Sequence, residues 1–278
     1  MTKEDFLTAL QAEIAMFAQA VATDEGDWII KGFIDVHYNI YSISVDTKII
    51  SKVLELLLFP MLLEFGKKYD LRLDLAPQQN FYPDVSFVHQ ATNRKFAVDI
   101  KSTYRDSNQT VNGMTLGAFT GYFRQRDSRK NTLYAYSEYE GHYVLGVVYS
   151  QNSDALDERQ KFSLEQLKTI PSVIHNFLFF AQPKYKIAAS RPGSGNTKNI
   201  GSATKIADLT QGNGVFSKLG EAIYDDYWMY YLTTDMAKAL DISRPYINLQ
   251  SYLEYKQRGL EPLTAHQTEI FEDNAEEL

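Results

Sequence analysis

The spacing of apolar residues predicts two helices in the first quarter of the chain. Over residues 4–22 they recur at steps of three and four, which indicates an amphipathic helix. A second helix is predicted from an N-cap at Asp46 or Thr47 to about Lys68, with a kink before Pro60. Between them, residues 28–45 are rich in β-branched and aromatic residues and predict one or two strands with a turn at Gly32.

Further strands are predicted at 71–76, 85–89, 95–101, 142–150 and 185–190. A polar turn joins the second and third of these, which predicts a hairpin. Residues 102–114 are predicted to be a mobile loop, a short helix is predicted at 163–168, and helices are predicted beyond residue 220. The expected fold is a mixed α/β (α+β) domain over 1–235, whose central mixed sheet is flanked by helices. A helical extension with an acidic, partly disordered tail is expected over 236–278.

The composition limits the kinds of covalent link and metal site that the chain can form. The chain has 278 residues and no cysteine, which excludes disulfides and thiolate metal sites. Its five histidines are far apart, so a bound metal is expected to be a hard cation held by carboxylates. The N-terminus carries acids among its apolar residues, unlike a signal peptide, and the longest apolar run has eight residues. A cytoplasmic protein with no membrane association is therefore expected.

Charge is segregated along the chain. The net charge is −7, but residues 261–278 hold six acids and no Lys or Arg. Residues 181–220 hold five Lys and one Arg against one acid. A net negative charge therefore does not exclude a nucleic-acid protein, although each segment can equally be a solvated surface.

The strand at 95–101 carries the main chemical argument. Side chains alternate along a strand, so Asp99 and Lys101 are predicted to share the face opposite the core. The hairpin brings Asp84 to the same end. Two nearby carboxylates repel unless a cation lies between them, which suits Mg²⁺, and Lys101 could orient water or stabilise phosphate charge. The spacing equally permits a simple surface ion pair.

Other polar features have two possible interpretations. Glu55 lies among apolar residues of the second predicted helix. It is either a residue of the site or an acid at the surface of that helix. The glycine-rich segment 193–202 and the amide-rich segment 78–80 suit contacts with base edges and phosphates, or are ordinary turns.

Taken together, these motifs resemble the EcoRV-like type II restriction endonucleases of the PD-(D/E)xK nuclease superfamily. The resemblance covers roughly residues 40–230. The matching stretches are DTKIISKVLEL (46–56), PQQNFYPD (77–84), AVDIKSTY (97–104), MTLGAFTGYFR (114–124) and GSGNTKNIGS (193–202). The family has His at the position of Phe81, Thr at those of Ser102 and Lys198, and Ser at that of Gly121.

The resemblance implies roles for particular residues. Asp84, Asp99 and Lys101 match the catalytic residues, and Glu55 matches an accessory metal or active-site acid. The implied metal ligands are Asp84, Asp99 and Glu55. The implied DNA-binding residues are Gln78, Gln79, Asn80, Gly193, Ser194, Gly195, Asn196, Thr197, Asn199, Thr47, Ser102 and Thr103, with Asn196 as the expected reader of adenine.

The resemblance also implies an activity. A homodimer would hydrolyse double-stranded DNA at the palindrome GATATC, centrally and to blunt ends, giving 5′-phosphate and 3′-hydroxyl. It would use Mg²⁺, for which Mn²⁺ could substitute, and a cognate methyltransferase would belong to the same system without being bound. The alternatives are a nuclease of the superfamily with another DNA specificity, and a non-catalytic DNA-binding module.

Overall fold

The structure, a computed structural model, describes residues 1–78, 80–152, 159–193 and 198–257. The helices in these ranges are α1 (Lys3–Ala12), α2 (Ile14–Gln19), α3 (Thr47–Lys68), α4 (Lys184–Ile187), α5 (Ile206–Gln211), α6 (Glu221–Met229), α7 (Thr234–Ala239) and α8 (Leu249–Gln257). The strands are β1 (Phe33–Ile34), β2 (Ile40–Tyr41), β3 (Leu71–Leu75), β4 (Val85–His89), β5 (Lys95–Tyr104), β6 (Thr115–Ala118), β7 (Tyr139–Gln151), β8 (Lys161–Phe162), β9 (Ile174–Pro183), β10 (Ala188–Pro192) and β11 (Asn199–Ser202).

The centre of the molecule is a five-stranded sheet in the order β3-β4-β5-β7-β9. Strands β5 and β7 run parallel, and the other neighbouring pairs run antiparallel. The predicted mixed sheet and the predicted hairpin of β4 and β5 are therefore confirmed. Two smaller antiparallel sheets, β10-β11-β6 and β1-β2-β8, lie outside this sheet.

The two faces of the central sheet are covered differently. One face, here called the helix face, packs against α1, α2 and α3 in an apolar core that includes Phe96, Val98 and Ile100 of β5. The other, here called the site face, packs against the β10-β11-β6 sheet and helices α5 to α8. Ala97 of β5 belongs to this second core. The alternation predicted for 95–101 is thus confirmed.

The N-terminal region departs from the prediction in two places. The helix expected over 4–22 is broken at Glu13, whose buried carboxylate accepts hydrogen bonds from Lys68 and Tyr69 at 2.6 and 2.8 Å. The turn between β1 and β2 lies after Asp35 and not at Gly32. The Asp35 carboxylate accepts hydrogen bonds from the backbone N–H groups of His37 and Asn39, and these fix the turn.

Helix α3 is the longest described helix, and its predicted bounds are confirmed. The carboxylate of Asp46 accepts hydrogen bonds from the N–H groups of Lys48 and Ile49, so this residue is the N-cap. The helix continues through Pro60. None of the helices in the described ranges combines the length and the apolarity that a membrane span requires.

Three other segments differ from their predictions. Strand β5 extends to Tyr104, and isolated bridges pair Arg105 with Val111 and Thr110 with Lys205, so the expected mobile loop is largely held in place. Residues 184–187 are helical, so the strand expected at 185–190 begins only at Ala188. The short helix expected at 163–168 is a 3₁₀ helix, Leu164–Thr169.

The C-terminal helices predicted beyond residue 220 are confirmed as α6, α7 and α8. The side chains of Tyr246 and Tyr252 are buried, and their rings lie 5.1 and 5.3 Å from that of Tyr227 in α6. The acidic tail lies outside the described residues. The division at residue 235 stays a prediction.

Candidate active site

The hairpin register places two carboxylates side by side. Val85 of β4 pairs with Val98 of β5, and the same register one step further brings Asp84 opposite Asp99. The backbone N–H of Asp84 donates to Oδ1 of Asp99 at 3.4 Å, and the N–H of Ile100 donates to Oδ2 of Asp84 at 2.8 Å. The backbone of the two strands therefore fixes the acid pair.

Lys101 completes the predicted trio. Its Nζ lies 3.1 Å from Oδ2 of Asp84 and 3.7 Å from Oδ2 of Asp99. The side chains of Lys101 and Asp84 are 23% and 27% exposed, whereas that of Asp99 is almost completely buried. Lys101 and Asp84 can therefore meet a substrate at the surface, while Asp99 forms the floor of the site.

A second lysine approaches Asp99 from the interior. Lys184, at the start of α4, is 3% exposed, and its Nζ lies 3.3 Å from Oδ2 of Asp99. The same ammonium group donates to the hydroxyl of Tyr82 at 3.0 Å and lies 4.2 Å from the centre of its ring. The Tyr82 hydroxyl is in turn 2.7 Å from Nδ1 of His142 in β7. A buried polar chain thus leads from Asp99 through Lys184 and Tyr82 to His142.

The pKa values follow from burial and from these charges. Burial alone would raise the pKa of Asp99, but the charges of Lys101 and Lys184 outweigh it and hold that pKa below its ordinary value. Burial lowers the pKa of Lys101, but the charges of Asp84 and Asp99 raise it by more. Burial dominates at Lys184, whose pKa is lowered, and at His142, whose pKa is well below its ordinary value.

Glu55 lies near this site without joining the acid pair. Its carboxylate accepts a hydrogen bond from Lys52 at 2.7 Å. Glu55 and Asp84 line a common cavity of about 150 Å³, together with Gln78 and Phe81. Among the described residues, no three acidic or imidazole side chains come close enough to form a three-ligand metal site. The role of Glu55 stays a prediction.

The donor set fits a hard cation. Oδ1 of Asp84 accepts no hydrogen bond from the described residues, and Oδ1 of Asp99 accepts only the long one from Asp84. Mg²⁺ is commonly held by one or two carboxylates, with water and substrate phosphate as its other ligands. The two Oδ1 atoms are therefore the groups that could hold it.

The residues predicted to contact DNA are placed at several positions. Gln78 and Asn80 are exposed beside the cavity, Thr47 is exposed at the start of α3, and Asn199 begins β11. The Ser102 hydroxyl lies 2.7 Å from that of Ser51. Thr103 is buried, and its hydroxyl donates to the carbonyl of Asn112, so its surroundings are those of a structural residue. Gln79 and Ser194, Gly195, Asn196 and Thr197 lie outside the described residues.

Strand β11, which contains residues 199–202, pairs with β6, and β6 lies beside Asp99. Asn199 pairs with Ala118, and the neighbouring Gly117 has a φ of +91°. A Cβ atom at Gly117 would lie 2.9 Å from the Tyr122 hydroxyl, 3.6 Å from Lys184 Nζ and 4.0 Å from Asp99 Oδ2. The positive φ and the close approach of the Tyr122 hydroxyl therefore favour glycine here, and β6 lies beside Asp99 at an ordinary van der Waals distance. Gly193, at the start of the glycine-rich segment, donates its N–H to the carbonyl of Asn199.

Sequence reasoning missed Lys184, Tyr82, His142, Gly117 and Tyr122. Strand β9 was not predicted, and it places Lys184 next to β7. Tyr82 immediately precedes the Pro-Asp motif, which was the one available signal. The other contacts join residues far apart in sequence, which spacing along the chain does not reveal.

Comparisons with known proteins show the family to which the chain is related. The family model described as "Restriction endonuclease EcoRV" matches residues 24–257. The chain is also similar to the "Type II restriction enzyme EcoRV" of Escherichia coli, with 31% identity over 230 residues. That similarity covers 82% of this chain and 91% of the relative. The matched region includes the acid pair and both lysines.

Proposed function

Because the chain belongs to the EcoRV family of restriction endonucleases and is a type II restriction endonuclease acting on DNA, we propose that it cuts the palindrome GATATC centrally. The products would be blunt ends with 5′-phosphate and 3′-hydroxyl groups. The reaction would require Mg²⁺, for which Mn²⁺ would substitute. The protein would act in the cytoplasm, where the DNA to be cut is found, alongside a methyltransferase that it does not bind.

The observation that carries this proposal is the convergence of Asp84, Asp99 and Lys101. Asp84, directly before β4, and Asp99 of β5 each have one oxygen, Oδ2, next to the lysines, and the ammonium group of Lys101 lies 3.1 Å from Asp84. Asp84 and Asp99 would hold the cation, with Glu55 as an accessory acid across the cavity. A bound Mg²⁺ would supply Lewis acidity at the phosphate and lower the pKa of a nearby water.

The residues of the chain then have separable tasks. In the hydrolysis, the oxygen of water forms a bond to phosphorus, and the bond from phosphorus to the 3′ oxygen breaks. The 3′ oxygen leaves with a proton, and the phosphate stays on the 5′ end. Lys101 would place its positive charge beside the phosphate as negative charge builds there. Asp99, buried beneath, would keep the surface carboxylate of Asp84 in register with the scissile group.

DNA reading is proposed for the segments beside the site. Strand β11 pairs with β6, and Gly117 of β6 lies next to Asp99. The glycine-rich segment that precedes β11 would read the major groove, with Asn196 contacting adenine. Gln78, Gln79 and Asn80 would contact the minor groove or the backbone near the cavity that Gln78 lines. Thr47, Ser102, Thr103 and Asn199 are proposed to lie near the DNA backbone.

A homodimer is proposed because a palindrome presents the same contacts twice, related by a two-fold axis. The small β1-β2-β8 sheet offers a surface for the second copy. Phe33 and Ile34 of β1 are 53% and 55% exposed, and Tyr41 of β2 is also exposed. Neighbouring apolar side chains of an outer sheet that stay exposed in the single chain are typical of a subunit interface.

The cleavage test uses plasmid DNA that carries one GATATC site. With Mg²⁺ we expect linear product whose ends are blunt on sequencing, and with Lys101→Ala we expect none. Lys238→Ala, an exposed lysine of α7, is the matched control and should cleave like the wild type. A cut at another fixed sequence would replace the proposed specificity. Binding in EDTA without any cleavage in Mg²⁺ would establish the non-catalytic alternative.

The dimer test uses sedimentation. Phe33→Glu should shift the protein from dimer to monomer, because it places a charge on the exposed strand β1. Val215→Glu, which changes an apolar residue of similar exposure between α5 and α6, should leave the dimer intact. A wild-type monomer, or a Phe33→Glu dimer, would contradict the proposed interface.

A further inference from the structure

Lys184 is an unusual residue because its charge is buried. An ammonium group in the protein interior is costly unless nearby groups compensate for the lost water. Three contacts do so here, namely Asp99 Oδ2 at 3.3 Å, the Tyr82 hydroxyl at 3.0 Å and the face of the Tyr82 ring at 4.2 Å. The contact with Asp99 links this lysine to the candidate active site.

The two oxygens of Asp99 have different surroundings. Oδ2 faces both lysines, at 3.3 Å from Lys184 and 3.7 Å from Lys101. Oδ1 faces Asp84 and accepts only the long hydrogen bond from its N–H. Lys184 thereby fixes the rotation of the carboxylate and leaves Oδ1 for an ion between the two acids. The formal charges of Asp84, Asp99, Lys101 and Lys184 cancel.

The surrounding structure holds Lys184 in this position. The register of β7 and β9, continued by one step, brings Lys184 opposite His142, and Tyr82 bridges the two side chains. Gly117 of β6 also lies next to the ammonium group, which is 3.6 Å from where a Cβ atom would be, an ordinary van der Waals distance. Lys184 is thus held from the core side by a hydrogen-bonded chain and faces a position that lacks a side chain.

We propose that Lys184 is a positioning residue that acts as a resident counter-ion of Asp99. It holds one oxygen of the carboxylate, directs the other towards the cation, and weakens cation binding by keeping the acid cluster neutral. This inference rests on the proposed function, since it assumes that Asp84 and Asp99 hold a divalent cation.

A purely structural lysine would behave differently. Removing one partner of a buried ion pair destabilises the fold, so a purely structural role predicts a loss of stability and no gain in cation affinity. Removing a counter-ion about 3 Å from a carboxylate ligand leaves the cluster with a net negative charge. The Coulomb attraction for a divalent ion then increases, and we expect binding to tighten by about tenfold or more.

The experiment measures Mn²⁺ binding to the DNA-free full-length protein by electron paramagnetic resonance. Lys184→Met should bind Mn²⁺ about tenfold more tightly than the wild type, and its maximal cleavage rate should fall because Asp99 is no longer held. Lys186→Met is the matched control, since Lys186 is a partly exposed lysine in the same short helix. It should leave the affinity unchanged.

Unchanged or weaker Mn²⁺ binding in Lys184→Met would overturn the inference. If that variant does not fold, as judged by near-ultraviolet circular dichroism, Lys184→Gln makes the same comparison and should also bind Mn²⁺ more tightly. The result is separable from the proposed function. If the wild type binds Mn²⁺ but cuts no DNA, the proposed cleavage is refuted. The comparison of Mn²⁺ affinities then still decides the role of Lys184.

Discussion

The two faces of strand β5 show how one segment can serve stability and chemistry together. On the helix face, Phe96 and Val98 are fully buried among apolar side chains of α1 and α3. On the site face, Asp99 is equally buried but contacts two lysines. The difference between the faces arises from alternation alone, because neighbouring residues of a strand point in opposite directions.

The side chains that stabilise the fold and those that serve the reaction lie in different places. Buried charges are costly even when they are paired, so the cluster of two acids and two lysines on the site face is a poor source of stability. The helix face offsets this cost with close packing, such as the stacked rings of Phe6 and Phe96, whose centres lie 4.4 Å apart. A substitution in this cluster should therefore change activity most, whereas a truncation of the packing on the helix face should lower stability with little effect on activity.

The largest expected effect is on the site face. Asp99→Asn keeps the size of the side chain but removes the charge, and cleavage in Mg²⁺ should fall on the order of 10³-fold. The measurement is single-turnover cleavage of a duplex with one site, with Asp235→Asn of α7 as an exposed control. Wild-type rates in Asp99→Asn would show that the acid pair is structural.

The next effect is on the helix face. Phe96→Ala removes a buried ring and should lower the free energy of unfolding by about 3–5 kcal/mol, measured by urea denaturation. Cleavage per folded molecule should stay near that of the wild type. Phe96→Leu, which leaves a smaller cavity, should cost less. A variant that is stable but inactive would show that the two faces are coupled more closely than their packing indicates.

The helix face and the acid pair were largely predictable because local patterns determine them. The period of two in β5 separates Phe96 from Asp99, and the polar turn after β4 sets the register that brings Asp84 opposite Asp99. The N-cap and length of α3 follow from Asp46 and from the apolar spacing. In each case the residues that set the pattern are close in sequence.

The polar interior of the site face was not predictable in this way. Lys184 reaches Asp99 only because β9 pairs with β7, and β9 ends at Pro183 where α4 begins. Pairing between distant strands depends on the whole fold and leaves no fixed spacing in the sequence. The break at Glu13 has the same cause, since Lys68 and Tyr69 lie more than fifty residues away in the chain.

The buried histidine of the site face predicts a dependence of stability on pH. The pKa of His142 is well below 6.5 in the folded protein because of burial, so stability is complete above pH 6.5. Below that pH the unfolded chain takes up a proton that the folded protein does not. The free energy of unfolding should then fall by about 1.4 kcal/mol per pH unit until the folded pKa is reached.

Urea denaturation of the wild type and of His142→Phe, at pH 7.5 and 5.5, tests this dependence. Phe keeps a ring to stack on Tyr136, whose centre lies 3.8 Å from that of His142, but it does not titrate. The wild type should lose more stability than the variant on acidification. A difference between the two proteins that is the same at both pH values would contradict the expected burial of a neutral imidazole.

The smallest expected effect concerns the N-terminus of α3. This helix is related to both faces of the sheet. This helix covers the helix face through Leu54 and Leu58, and it carries Glu55 towards the cavity that Asp84 lines. Asp46→Ala removes the two N-cap hydrogen bonds and should cost about 1 kcal/mol of unfolding free energy. Asp46→Asn retains an accepting oxygen and should cost less than the Ala variant. Cleavage should change little, because the apolar contacts that hold α3 against the sheet lie further along the helix and stay in place. A large loss of cleavage in Asp46→Ala would mean that the first turn, with Thr47, contributes directly to the site face.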